Sequence, residues 1–130
     1  MSIIMIDDVS FNSDAIKVVQ RVIIEGAYAV QFYVNIGDIG RKFEIKFTDL
    51  LNKDDKASKI AYDFLLCYIV NKRSGIINLV TLMESLSKLY RETLVTYSET
   101  SIDMNELQRL RESILKDYLS SLTKLAESLL

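Results

Sequence analysis

AYAVQFYVNIGDIGRKFEIKFT, residues 27–48, decides the fold, because here the hydrophobic period switches from helical spacing to strict alternation. Val30, Phe32, Val34 and Ile36 share one face of an extended strand, and Ala29, Gln31, Tyr33 and Asn35 share the other. Gly37-Asp38-Ile39-Gly40-Arg41 carries two glycines and predicts a five-residue turn. Phe43, Ile45 and Phe47 then alternate with Lys42, Glu44 and Lys46. The pattern predicts a β-hairpin with one apolar face and one wet face.

Upstream of the hairpin, Ser2 to Ile6 is a short apolar run, expected as a buried strand. Ser13-Asp14 offers an N-cap and a first-turn acid. Ile16, Val19, Val22 and Ile23 follow at helical spacing, and Gly26 can supply a left-handed C-cap, so a helix is expected over residues 14–25.

Downstream, everything to the last residue reads as helix. Asn52 is the expected cap, with Asp54 and Asp55 at the positive end of the helix dipole. The run 60–70 is apolar apart from Asp63, and predicts a central helix broken by Asn71-Lys72-Arg73-Ser74-Gly75. Ile76, Leu79, Val80, Met83, Leu86, Tyr90, Leu94 and Tyr97 form the next stripe. The last helix is expected over residues 104–129, opened by Asp103 and Glu106 as a capping box, with Ile102 and Leu107 as its hydrophobic staple. The expected fold class is therefore α+β: an N-terminal strand-helix-β-hairpin followed by three helices, predominantly helical, with residues 1–130 as a single domain.

Composition narrows the chemistry. In 130 residues there are no histidines, no prolines, no tryptophans and one cysteine. Without histidine, Ser-His-Asp and Cys-His catalysis cannot be assembled within one chain. One cysteine and no histidine also exclude a four-ligand structural zinc site. No enzyme, cofactor or metal site is expected. The lone thiol argues against disulfide dependence, which points to a cytoplasmic, intracellular setting. No apolar run approaches the length of a membrane span, and the acids at positions 7 and 8 arrive too early for a signal peptide. The absence of proline beside abundant Ile, Ser, Tyr and Lys suggests an AT-rich coding origin, viral or archaeal.

The opening Ile3-Ile4-Met5-Ile6-Asp7-Asp8 resembles the start of a response-regulator receiver domain. In that family an apolar first strand ends in paired acids that help hold magnesium at a phospho-accepting aspartate. The resemblance implies a magnesium role for Asp7 and Asp8. It covers about thirty residues, and the later strands carrying the accepting aspartate, a Thr/Ser and a Lys have no counterpart in the helical second half.

Two single residues stand out in the apolar run. Asp63 is expected to face solvent or meet Lys59 one turn earlier, and Cys67 to pack as a small buried hydrophobe.

Three functions remain open. The leading expectation is a non-enzymatic protein-interaction or assembly module, a homo-oligomer or a small subunit of a larger complex. Its expected interface is the stripe Leu107, Leu110, Ile114, Tyr118, Leu122, Leu125 and Leu129. A helix over 104–129 would span about 39 Å at 1.5 Å per residue, long against a radius of gyration near 14 Å for such a chain. The second expectation is a subunit of a nucleoprotein complex touching the nucleic-acid backbone through Arg41, Lys42 and Lys46. The net charge of −2 gives it no basic footprint, so a protein partner is placed ahead of nucleic acid. The receiver-like phospho-acceptor is third.

Overall fold

The computed structural model describes residues 2–98 and 104–129. In chain order the elements are β1 (Ser2–Ile6), β2 (Val9–Asn12), β3 (Ile16–Ile24), β4 (Ala27–Ile36), β5 (Ile39–Lys46), α1 (Asp55–Asn71), β6 (Gly75–Asn78), α2 (Leu79–Ser98), α3 (Met104–Arg109) and α4 (Arg111–Leu129). The class is mixed α+β, with two three-stranded sheets ordered β2-β1-β6 and β3-β4-β5.

The expected helix over 14–25 is a strand. Ile16, Val18, Val19, Val22, Ile23 and Ile24 give β3 a majority of β-branched side chains, which lose χ1 freedom in a helix and pack well on a pleated surface. Val19 pairs with Phe32, Arg21 with Val30 and Ile23 with Tyr28, so alternation governs the segment after all. Gly26 does not cap a helix. Glu25 (φ 52) and Gly26 (φ 79) are the two central residues of a hairpin turn between Ile24 and Ala27. Two consecutive left-handed residues match the right-handed twist of the flanking strands.

The expected hairpin of residues 27–47 forms, with a tighter turn. Ile36 pairs with Ile39 across Gly37 and Asp38, so Ile39, Gly40 and Arg41 belong to β5. Gly37 has φ 63, the conformation a two-residue turn demands of its first central residue.

The single helix expected over residues 104–129 is divided at Leu110 into α3 and α4, and two further elements differ from expectation. Asp7 and Asp8 are the turn of an antiparallel hairpin in which Ile6 pairs with Val9. Asp7 takes φ 52, which aspartate tolerates better than most residues. The first strand therefore leads into a second strand rather than a helix, and the likeness to a receiver ends there. Ile76 and Ile77 are not the start of a helix but part of β6, which lies parallel to β1 with Ile3 beside Ile76 and Ile4 beside Ile77. The helix begins after it, capped by Asn78, whose Oδ1 accepts from the Thr81 amide at 3.1 Å.

Buried side chains from both sheets and from α1, α2 and α4 join in one cluster. Phe11 on β2 stacks on Phe43 on β5 with centroids 5.5 Å apart, joining the two sheets. α1 crosses the inner face of the β3-β4-β5 sheet. The Tyr62 hydroxyl donates to the Val19 carbonyl at 3.0 Å, and Arg21 donates to the Asp55 carbonyl at 2.6 Å and to Ser58 Oγ at 2.8 Å. α2 and α4 pack together, with Tyr118 donating to the Leu86 carbonyl at 2.9 Å.

Candidate functional site

The residues expected to carry function fall in three places. In the expected interface stripe, Ile114, Tyr118 and Leu122 are fully buried in the chain's own core, with Leu110 and Leu125 packed against it and Leu129 39% exposed at its end. This inward face of α4 is closed by α1 and α2 over Ile114, Tyr118 and Leu122. Leu107 as a side chain, Ile102 and Asp103 lie outside the described residues, and with them the capping box and staple.

The basic trio is divided. Lys42 and Lys46 point to the outer face of β5, while Arg41 lies on the inner side with its guanidinium 4.7 Å from the Phe43 ring centroid. Lys42 is held by Glu44 at 2.9 Å and Lys46 by Glu25 at 2.9 Å. These pairs raise the Lys42 ammonium and lower the Glu25 carboxyl from their ordinary values, chiefly through the hydrogen bond itself. Both lysines thus have carboxylates at hand.

Asp63 meets Lys59 at 2.7 Å on the solvent side of α1, as expected. Cys67 differs from expectation: it is exposed on α1, because the helix turns Leu65, Tyr68 and Ile69 inward instead. Among the described residues no group of three His, Cys, Asp or Glu side chains is placed to hold a metal ion. No helix of the described residues is long and apolar enough to cross a membrane.

The most elaborate polar cluster was not anticipated. Asp54, rather than Asn52, caps α1: its Oδ1 accepts from the Ala57 amide at 2.9 Å. Its Oδ2 accepts from the Tyr90 hydroxyl at 2.5 Å, and Arg111 donates to Oδ1 and, at 2.9 Å, to the Tyr90 oxygen. Burial pushes the Asp54 carboxyl up, but Tyr90, the Ala57 amide and Arg111 together hold it below the ordinary range. Burial, then the facing Asp54 carboxylate, pushes Tyr90 up to about 12. Leu50, Leu94 and Ile114 line the open apolar groove of about 450 Å³ beside it. Both Asp54 oxygens are engaged, so the cluster ties the start of α1 to α2 and α4 and leaves no free base or nucleophile.

The remaining candidate is the β6 side of the β2-β1-β6 sheet. Its inner face, Ile4, Ile6, Phe11 and Ile77, is buried. Its outer face carries Ile3, 40% exposed, directly beside Ile76, 60% exposed, with Met5 next along β1. Beyond Ile76 the sheet ends: among the described residues β6 is paired with β1 alone. Alongside lies a shallow groove of about 170 Å³, lined by Tyr68, Ile77, Leu82, Leu125 and Leu129 among others. Val70, 80% exposed, precedes β6 at the end of α1. Gly75-Ile76-Ile77-Asn78 contains no charged residue, no proline and no bulge, the devices with which proteins usually protect an edge strand.

Set against protein-family models, curated proteins and solved structures, the chain matches none.

This surface was missed in the sequence because Ile76 fits the helical stripe that continues through Leu79 and Met83. The signal that could have found it is Ser74-Gly75 before two β-branched residues and Asn78, a breaker and a cap bracketing a strand-length run.

Proposed function

We propose that this protein is a non-enzymatic assembly module that binds protein through the open β6 side of its N-terminal sheet. The observation that carries the reading is the Ile3–Ile76 pair, two large aliphatic side chains adjacent on a solvent-facing sheet and next to an edge with unpaired backbone groups. An unpaired strand edge accepts another strand by main-chain hydrogen bonding, and flanking apolar side chains add affinity and register. The finer arrangement follows from it: the helical half supplies a closed core that holds the edge rigid, while the edge itself carries the contact. A cytoplasmic homo-oligomer or small complex subunit fits this arrangement. Nucleic-acid binding is not favoured, since Lys42 and Lys46 are already paired with acids.

Sedimentation velocity of the purified chain from about 1 to 100 µM, the range of transient to stable interfaces, tests the reading. The expected result is a concentration-dependent species heavier than 14.9 kDa. A lone 14.9 kDa species throughout overturns self-assembly.

A further inference from the structure

From the charges and the register around this edge we infer that its partner is a second copy of the same chain, joined β6 to β6 in antiparallel fashion about a two-fold axis at Ile76. The inference rests on the assembly reading above and adds the occupant and the geometry.

An antiparallel edge pair is self-complementary, because each strand offers the same alternation of donors and acceptors to the other. With a two-fold axis normal to the sheet, each copy keeps its outer face outward. Residues directly opposite must then share a face, which restricts the possible registers. Centring on Ile76 places it opposite the partner's Ile76, so that the more exposed of the sheet's two exposed aliphatic side chains meets itself. Ile3, Ile76, the partner's Ile76 and the partner's Ile3 then form a continuous apolar row across a six-stranded sheet. Centring on Ile77 would instead match residues that are already buried and leave Ile76 facing the partner's Asn78.

Charge complementarity selects the same occupant. Lys72 and Arg73 enter β6 at one end, and Asp7 and Asp8 turn the neighbouring β1 at the other. Since β1 and β6 are parallel, the basic and acidic ends of the edge are opposite ends. A two-fold axis brings the basic end of each copy to the acidic end of the other. In the Ile76-centred register the partner's segment from Lys72 into β6 enters on the side of the Asp7 turn, two strand spacings away, about 10 Å between backbones. In the free chain the Lys72 ammonium donates to the Leu129 carbonyl at 3.4 Å and lies 5.7 Å from the Tyr68 ring centroid, and its stem is long enough to turn from these contacts to the carboxylate. A parallel, head-to-head pairing would place like charges together and is disfavoured. The groove lined by Tyr68, Leu125 and Leu129 lies on the inner side of the same edge, where the partner's strand would cover it.

The experiment combines sedimentation with cross-linking. Ile76→Cys in a Cys67→Ser background places two thiols at the axis, with a Cα separation in the range that a disulfide accepts. Mild oxidation is expected to give a covalent dimer. Leu119→Cys, exposed on α4 away from the edge, is expected to stay monomeric under the same treatment. Ile76→Lys is expected to weaken the dimer at least about tenfold, since a lysine on an edge opposes pairing. The folded state should be unchanged by circular dichroism, because the side chain is largely exposed. Equal cross-linking at both positions overturns the inference. So does a wild-type dimer that Ile76→Lys leaves intact, which would keep the assembly reading but move its interface. A wild-type monomer at 100 µM, far above any stable dimer's dissociation constant, overturns both.

Discussion

The two sheets of this protein have the same number of strands and opposite treatments of their borders. In the β3-β4-β5 sheet the outer face is cross-linked by polar pairs, Gln20 with Gln31, Lys42 with Glu44 and Lys46 with Glu25, around the half-exposed neighbours Val18 and Tyr33. Its border strand β3 is interrupted by a register shift between Ile16 and Val18, and its border strand β5 carries alternating charge. The β2-β1-β6 sheet has polar Ser10 and Asn12 on the outer face at one border, and Ile76 at the other. The first sheet also exposes Ile23 and Ile39 near the ends of its borders, but on strands that carry a register shift in β3 and charged side chains in β5, whereas β6 carries neither device. Protection of an edge costs nothing when the solvent face can carry charge, so an edge left aliphatic is the more informative of the two.

The largest effect should come from the closed side. Tyr118→Ala removes a fully buried ring that lies 5.0 Å from Tyr90 and takes the side-chain donor from the Leu86 carbonyl. A loss of about 3–5 kcal/mol is expected in urea unfolding. The residual native protein should associate as wild type does. If Tyr118→Ala abolishes association without destabilising the fold, α4 and not the sheet edge is the contact surface.

A second, pH-dependent effect tests how completely the polar groups of the closed side are satisfied. The Asp54 carboxyl titrates below its ordinary value in the folded state. It therefore contributes stability that is fully present above about pH 4 and is lost as pH falls through the lower folded value. Tyr90 behaves in the opposite sense. Its folded value of about 12 means that its contribution is present below the ordinary tyrosine value near 10 and is lost between the two. Melting temperatures recorded across both ranges should fall at each end. Asp54→Asn should flatten the acid limb and Tyr90→Phe the alkaline limb, each with a small loss at neutral pH. Unchanged limbs would show that the cluster does not hold α1 to α2 and α4.

The smallest effect is expected on the guarded sheet. Lys42→Ala and Lys46→Ala remove exposed ion pairs, and each should change stability by under about 1 kcal/mol. Neither the wild type nor the double variant should bind duplex DNA at 50 mM salt, where phosphate contacts would be strongest. Binding by the wild type that falls steeply with salt would make this face, and not the edge, the functional one.

Sequence periodicity was most informative where it was unambiguous. Residues 27–47 alternate cleanly and form β4 and β5, and the apolar runs at 60–70 and 79–97 become α1 and α2. It misled where one spacing satisfies two structures. Ile16, Val19, Val22 and Ile23 lie on a helical stripe, yet the same segment alternates when Val19, Arg21 and Ile23 are taken together. Side-chain type settles that case, since β-branched residues dominate it. β6 was illegible for another reason. Four residues hold too little periodicity to identify, and the strand exists because β1 lies beside it, a contact no local pattern reveals. The Asp54–Tyr90–Arg111 cluster is equally non-local, joining three segments far apart in the chain. The α4 stripe was legible as an apolar face, but not what covers it.

The parallel pairing of β1 with β6 has one more consequence, for the order in which the chain can fold. The β3-β4-β5 sheet grows from adjacent hairpins and can close as soon as residue 46 exists. Ser2, by contrast, has Gly75 as its neighbour, and the whole second sheet and α1 lie between them. Until that neighbour arrives, the first hairpin is a two-stranded ribbon of the kind that is marginal in water. The amino-terminal ribbon is made first and secured among the last. Hydrogen exchange during refolding should therefore protect β4 well before β1, and agents that trap exposed strands should act early on the amino-terminal ribbon.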